Sequence, residues 1–190
     1  MKILFLIVCL MITSFATFAQ SVIKVPQSLH SVLPDGKFSE NEWKDAYVMP
    51  VSDSLMLYIK QDAENIYWCL RGMQNRPSLA GVDFYITHHD SLINLHASAK
   101  LGERKLTGGG YGDWNWWNNE NWIANVARFN AFTGTRFLPD EAKEFQLRKI
   151  RFSNQAIRLM LQEDNLKNPN PPFPAGSSPN DTTKWLILGL

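Results

Sequence analysis

The residues best suited to chemistry lie in one stretch, Gly108 to Trp122. It holds four of the chain's seven tryptophans, Trp114, Trp116, Trp117 and Trp122, beside Tyr111 and among Asp113, Asn115, Asn118, Asn119, Glu120 and Asn121. An indole left in water is costly unless the protein's own surface or a ligand covers it. An aromatic face flanked by amides and carboxylates suits a sugar, because the ring covers the apolar C–H side while the polar groups meet the hydroxyls. The expected ligand-binding set is therefore Tyr111, Asp113, Trp114, Asn115, Trp116, Trp117 and Asn118, with Asn119 as a further hydrogen-bonder. The alternative is a loop folded over the edge of a β core, with the indoles as plugs. Neither helical nor strand periodicity runs through the stretch, and its glycines permit unusual backbone angles, so a long surface loop is expected.

Other chemistry finds less support. Asp113 and Glu120 could serve as the acid and base of glycoside hydrolysis, which demands two carboxyls at a defined separation. Loop carboxylates are usually solvated or accept from sugar hydroxyls, so no catalytic residue is assigned. His88-His89-Asp90, with His96 further on, superficially resembles a metal cluster, but adjacent strand residues point to opposite faces. Cys69, flanked by Trp68 and Leu70, reads as a buried small apolar residue rather than a nucleophile. No Gly-x-Ser-x-Gly or zinc spacing is present, and Gly108-Gly109-Gly110 lacks the Lys-Ser/Thr of a phosphate loop.

The first residues indicate the compartment. Met1-Lys2, the apolar run Ile3 to Ile12 and the small-residue segment ending Thr17-Phe18-Ala19 form a secretory signal peptide over residues 1–19, too short for a spanning helix. Cys9 lies inside the apolar run, so no lipoprotein anchor is read, and a secreted or periplasmic protein with no membrane span is expected. Of the 19 Lys and Arg only Lys2 is lost with the leader, which balances the 18 Asp and Glu. A neutral chain disfavours nucleic acid or an acidic membrane as partner. Cys69 is then the only thiol, which excludes an intramolecular disulfide. Residues 20–190, about 170 in number, suffice for one domain with a sizeable core.

These residues must be positioned by short strands. Ser39 with Glu42 has capping-box spacing, so a helical turn is expected there, with Trp43 and Ala46 docking on the core. Leu55 to Lys60, the turn Gln61 to Asn65, and Ile66 to Arg71 alternate as a hairpin. Further strands are expected over Val82–His88, Leu92–Ala99, Ile123–Phe132, Glu144–Phe152, Ala156–Gln162 and Lys184–Leu190, with a helical turn at Pro139–Lys143. Asn168 to Thr183 carries five prolines and reads as a loop. The spacing of strands and the lack of a long amphipathic helix predict an all-β protein. The expected architecture is an antiparallel β-sandwich, jelly-roll or immunoglobulin-like, with short helical turns.

Asp35-Gly36, Glu40, Trp43 and Ala46, followed by the strand–Asp62…Glu64-Asn65–Ile66-Tyr67 hairpin, resemble the opening of the family 9 carbohydrate-binding modules, a DOMON-like β-sandwich. Val82-Asp83-Phe84-Tyr85-Ile86 with Asp90 is similar to that family's acidic-apolar strand, so the likeness runs from Leu33 to about Asp90. It implies a sandwich of secreted, polysaccharide-related proteins, often attached to glycoside hydrolases, in some cases with structural calcium. Asp62, Glu64, Asp83 and Asp90 are the candidate calcium ligands. Sugar-binding members clamp a terminal sugar between two aromatics. Here the first place is Arg76-Pro77-Ser78-Leu79, and the second offers only Phe173. A sugar would therefore need a different platform, the indoles of Trp114, Trp116 and Trp117. The sequence predicts a secreted, non-catalytic carbohydrate-binding protein whose partner is an oligo- or polysaccharide. A protein partner gripped by the indole loop is the alternative. Hydrolysis through Asp113 and Glu120, or through an associated catalytic protein, is the third reading.

Overall fold

The computed structural model describes residues 20–72, 81–88, 91–107, 110–117, 121–125, 141–152, 156–164 and 171–190. The strands in chain order are β1 (Val22–Lys24), β2 (Tyr47–Ser52), β3 (Leu55–Gln61), β4 (Asn65–Arg71), β5 (Gly81–His88), β6 (Ser91–Ala97) and β7 (Leu101–Thr107). They continue with β8 (Gly110–Tyr111), β9 (Asn115–Trp116), β10 (Trp122–Ala124), β11 (Ala142–Arg148), β12 (Ile157–Asp164) and β13 (Leu186–Gly189); the one α-helix among the described residues is α1 (Glu40–Trp43). They build an eight-stranded sheet in the order β1-β13-β12-β5-β6-β7-β8, with β9 also on β7, and a five-stranded sheet in the order β10-β11-β4-β3-β2. All pairings are antiparallel except β1 with β13. The fold is an all-β sandwich, as the sequence predicts.

Period-two alternation decides which face each strand buries. Val82, Phe84 and Ile86 of β5, Ile93 and Leu95 of β6, and Leu159 and Leu161 of β12 face the small sheet, which contributes Leu57, Ile59, Ile66, Trp68, Leu70, Phe145 and Leu147. Aromatic rings bridge the two layers, with Trp68 to Phe84 at 5.2 Å and Phe84 to Phe145 edge-on at 4.5 Å. Each such side chain contributes roughly 1.5–3 kcal/mol by leaving water.

The outer face of the small sheet is covered by the chain's own beginning. Val32, Phe38 and Trp43 pack on Tyr58, Tyr67 and Cys69, a cluster separate from the inter-sheet core. Helix α1 supplies Trp43 as expected, but without the expected cap. The Ser39 side chain makes no capping bond; its carbonyl accepts from the Glu42 and Trp43 amides, while the Glu42 carboxylate takes the Leu33 amide at 3.1 Å. A single turn is held by Trp43 rather than by its cap. Cys69 is buried, and burial together with nearby Glu144 and Glu42 pushes its thiol well above the ordinary range, which suits a packing role.

Three expectations need correction. Leu101–Thr107 is a strand that the sequence reading leaves out. The Trp-rich stretch is partly strand, because β8 and β9 lie along β7 and β10 belongs to the small sheet. Ala142 and Lys143 open β11 instead of closing a helical turn, since the β4 ladder pairs them with Arg71 and Leu70. Residues 1–19, 126–132 and 139–140 lie outside the described residues, so the leader and the far end of the strand expected at Ile123–Phe132 are among what is not described. Among the described residues no helix is long and apolar enough to cross a membrane.

Candidate functional site

The outward face of the large sheet, covered in part by Trp185 on Tyr85 and Met160, carries two rows of side chains fixed by register. Gln162, Asp83, His96 and Gly102 lie side by side across β12, β5, β6 and β7; one step along come Met160, Tyr85, Asn94 and Arg104. Strands β8 and β9 then bring the Trp-rich stretch to this face. Gly102 is opposite Trp116, and Leu106 is opposite Tyr111. Trp114 and Trp116 share one parity, so both indoles fall beside Gly102. The result is a cleft of about 410 Å³ lined by Asp83, His96, Arg104, Trp114, Trp116, Gln162 and Glu163.

Gly102 is what lets the indoles lie flat on the sheet. A Cβ there would stand 2.5 Å from Trp116 Cζ3 and 3.0 Å from Trp114 Cε3, contacts that no side chain tolerates without displacing a ring. The two indoles stack at 4.9 Å between centroids, 23° from parallel. The edge of His96 meets both, at 5.5 and 5.9 Å. Cations extend the stack. Lys100 Nζ sits 3.5 Å over Trp116, and the Arg104 guanidinium lies 4.2 Å over Trp114 and 3.9 Å over Tyr111. A guanidinium cannot enter between rings stacked at 4.9 Å, so it takes the other face of Trp114.

A polar chain runs beneath. Asp83 Oδ1 accepts from Asn94 Nδ2 at 3.1 Å and lies 3.1 Å from His96 Nδ1, while His96 Nε2 is 2.9 Å from Ser98 Oγ. Asn94, fully buried, uses its Oδ1 to accept from Arg104 Nε at 2.8 Å. Burial raises the affinity of the neighbouring Tyr85 hydroxyl for its proton, helped by Asp83 and Tyr111, so Tyr85 remains a neutral donor across the physiological range.

Of the residues expected to bind ligand, Trp114 and Trp116 form the wall of the cleft and Tyr111 joins it through Arg104. Trp117 is 57% exposed and does not line the cleft; its φ of 62°, rare for a bulky residue, is held by its amide donating to the Leu101 carbonyl. Asp113 and Asn115 are exposed and do not line it, and Asn118, Asn119 and Glu120 lie outside the described residues. Trp122 is a plug, 3% exposed and stacked on Phe145 in the core. Phe173 packs against the core and exchanges backbone bonds with Leu161, while Arg76–Leu79 lie outside the described residues.

The calcium candidates are dispersed. Asp62 spends Oδ1 on the amides of Glu64 and Asn65, and Oδ2 accepts from the Tyr67 hydroxyl at 2.5 Å. Burial pushes that carboxyl up, but the bonds from Tyr67, Asn65 and Glu64 outweigh it and hold it below the usual range. Asp62 and Glu64 belong to the small sheet's β3–β4 turn, Asp83 to the large sheet, and Asp90 lies outside the described residues. Among the described residues no group of three or more His, Cys, Asp or Glu could hold a metal ion.

Sequence reasoning missed Arg104, Asn94, Gln162, Glu163 and Gly102; it offered Asp83 only as a candidate calcium ligand and set His96 aside with His88 and His89. The available signal was alternation: Asp83, Asn94 and His96 are polar positions interleaved with Val82, Phe84, Ile93, Leu95 and Ala97.

No protein-family model matches the chain, and no curated protein does. Among solved structures the chain is similar to a candidate carbohydrate-binding protein from Bacteroides uniformis, at 11% sequence identity and a TM-score of 0.52, covering 88% of this chain and 98% of that one. At that identity the likeness establishes a shared sandwich fold.

Proposed function

We propose that this chain is an exported, non-catalytic carbohydrate-binding protein that receives an oligo- or polysaccharide in the cleft on the outer face of its large sheet. The observation that carries this reading is the stacked Trp114–Trp116 wall facing Asp83, His96, Arg104 and Gln162 around about 410 Å³. Indole edges beside converging hydrogen-bonding groups suit a sugar, with apolar surface for its C–H bonds and polar groups for its hydroxyls. Tyr111 and Trp117 add exposed aromatic surface in the same stretch. The similarity to the Bacteroides uniformis protein and the sequence resemblance to family 9 modules support the class, and the leader-like residues 1–19 support export.

Tryptophan fluorescence of the protein, titrated with a panel of soluble oligosaccharides, tests the reading. A saturable shift is expected, and Trp116→Ala, which removes one wall of the cleft, should weaken binding by roughly 1–3 kcal/mol, the scale of a truncated aromatic anchor. A folded protein that gives no response to any glycan would reject it.

A further inference from the structure

Arg104 has an environment that sugar hydroxyls alone do not explain. Its guanidinium is held over Tyr111 at 3.9 Å and Trp114 at 4.2 Å, and its Nε is tied to Asn94 Oδ1 at 2.8 Å. Those three contacts fix the plane and spend the inner nitrogen. Its two terminal nitrogens make no hydrogen bond or ion pair among the described residues, and the side chain lines the cleft.

None of the nearby carboxylates pairs with Arg104 among the described residues. Asp83 reaches Arg104 only through the Asn94 amide, and its Oδ1 is shared by Asn94 and His96. Glu103, next in sequence, points to the other face and forks onto Arg151 at 3.0 and 2.7 Å. Glu163, opposite Val82 in register and 5% exposed, has a partner of its own. A second cation, Lys100, stands 3.5 Å over Trp116 without an ion pair among the described residues.

A guanidinium oriented in this way presents a planar fork that matches the two oxygens of a carboxylate. Its orientation is set before binding, so little freedom is lost when the anion arrives. Building on the carbohydrate reading above, we propose that the glycan is acidic: a uronic-acid residue places its carboxylate on the terminal nitrogens of Arg104 and its ring along the indole edges of the tryptophan pair, whose outer faces Arg104 and Lys100 cover. Lys100 adds attraction for the neighbouring acidic residue of such a chain.

Isothermal titration of the purified protein with oligouronides, their methyl esters and the corresponding neutral oligosaccharides tests this. The ester keeps the sugar ring and its hydroxyls and removes the charge at the cost of one added methyl group, and the neutral oligosaccharide controls for that methyl. The expected result is binding of an oligouronide that weakens about tenfold or more in the ester, with the acid preference lost in Arg104→Gln and only partly restored in Arg104→Lys. Equal affinity for acid, ester and neutral forms would overturn the acid preference and leave the carbohydrate reading standing. A folded protein that binds none of the three would overturn both. The ester comparison uses the unaltered chain, so it decides the matter even if Arg104→Gln fails to fold.

Discussion

Glu144 is the residue with the clearest titratable consequence. Its side chain is fully buried on the outer face of the small sheet, where Oε2 accepts from the Asp35 and Gly36 amides at 3.0 Å each and Oε1 accepts from Trp43 Nε1 at 3.1 Å. These bonds give the Asp-Gly and Trp of the sequence motif a physical reason: they are the donors that tether the opening segment to β11. Burial pushes the carboxyl from an ordinary 4.5 up to about 7, with Glu42 adding to the rise and the bonds from Gly36, Trp43 and Asp35 opposing it. The folded chain thus keeps a proton that the unfolded chain has released, so this group's contribution to stability falls as pH rises from about 4.5 to 7. Urea midpoints should be higher at pH 5 than at pH 8, and Glu144→Gln should flatten that slope. Identical slopes in the two proteins would refute the assignment. The sequence shows Asp35, Gly36 and Trp43 as a motif but not their acceptor, which lies 101 to 109 residues further on.

The junction of β7 with β8 and β9 is the element that makes the cleft. Its strands are two residues long and mostly solvent-facing, so they carry no alternation and read as loop. Only pairing to β7 turns Trp114 and Trp116 onto the sheet, and only the missing side chain at Gly102 gives them room. Gly102→Ala should therefore unstack the indoles without touching any ligand. Near-UV circular dichroism should lose its tryptophan signal from the pair, glycan affinity should fall, and stability should drop by about 1–3 kcal/mol, the usual cost of overpacking. Unchanged affinity would mean that the stacked pair is not the wall of the site. Trp122 shows the opposite case within the same stretch: one indole of four was a plug, and the sequence alone could not tell which.

For the whole molecule, residues 20–46 act as a strap across both sheets. Strand β1 extends the large sheet by pairing with β13, Gln27 bridges to Gln61 of β3, and Trp43, Phe38 and Val32 close the outer face of the small sheet. Lys60, 1% exposed, is held from this segment by the Asp45 carboxylate at 3.1 Å, by Ser28 Oγ and by the Glu42 carbonyl. A chain beginning at Tyr47 would uncover Tyr67 and Cys69 and strip Lys60 of its partners, and the apolar surface laid bare costs about 25 cal/mol per Å². It should bind a hydrophobic dye and melt without a cooperative transition; a cooperative melt near that of the full chain would show the strap to be dispensable.

The sequence by itself determined the fold class, the β3–β4 hairpin, the buried thiol and the stretch that supplies the cleft's aromatic residues. Those depend on alternation, turn chemistry and composition, which are local. The tertiary structure decided the rest: which indoles face the cleft, that Asp83 and His96 join Arg104 through Asn94, and that Glu144 receives the opening motif. Each of these depends on strand register, between neighbouring strands for the cleft and between segments 101 to 109 residues apart for Glu144. Register is set by how two faces pack and by where one side chain is missing, and neither is written in any short window of residues.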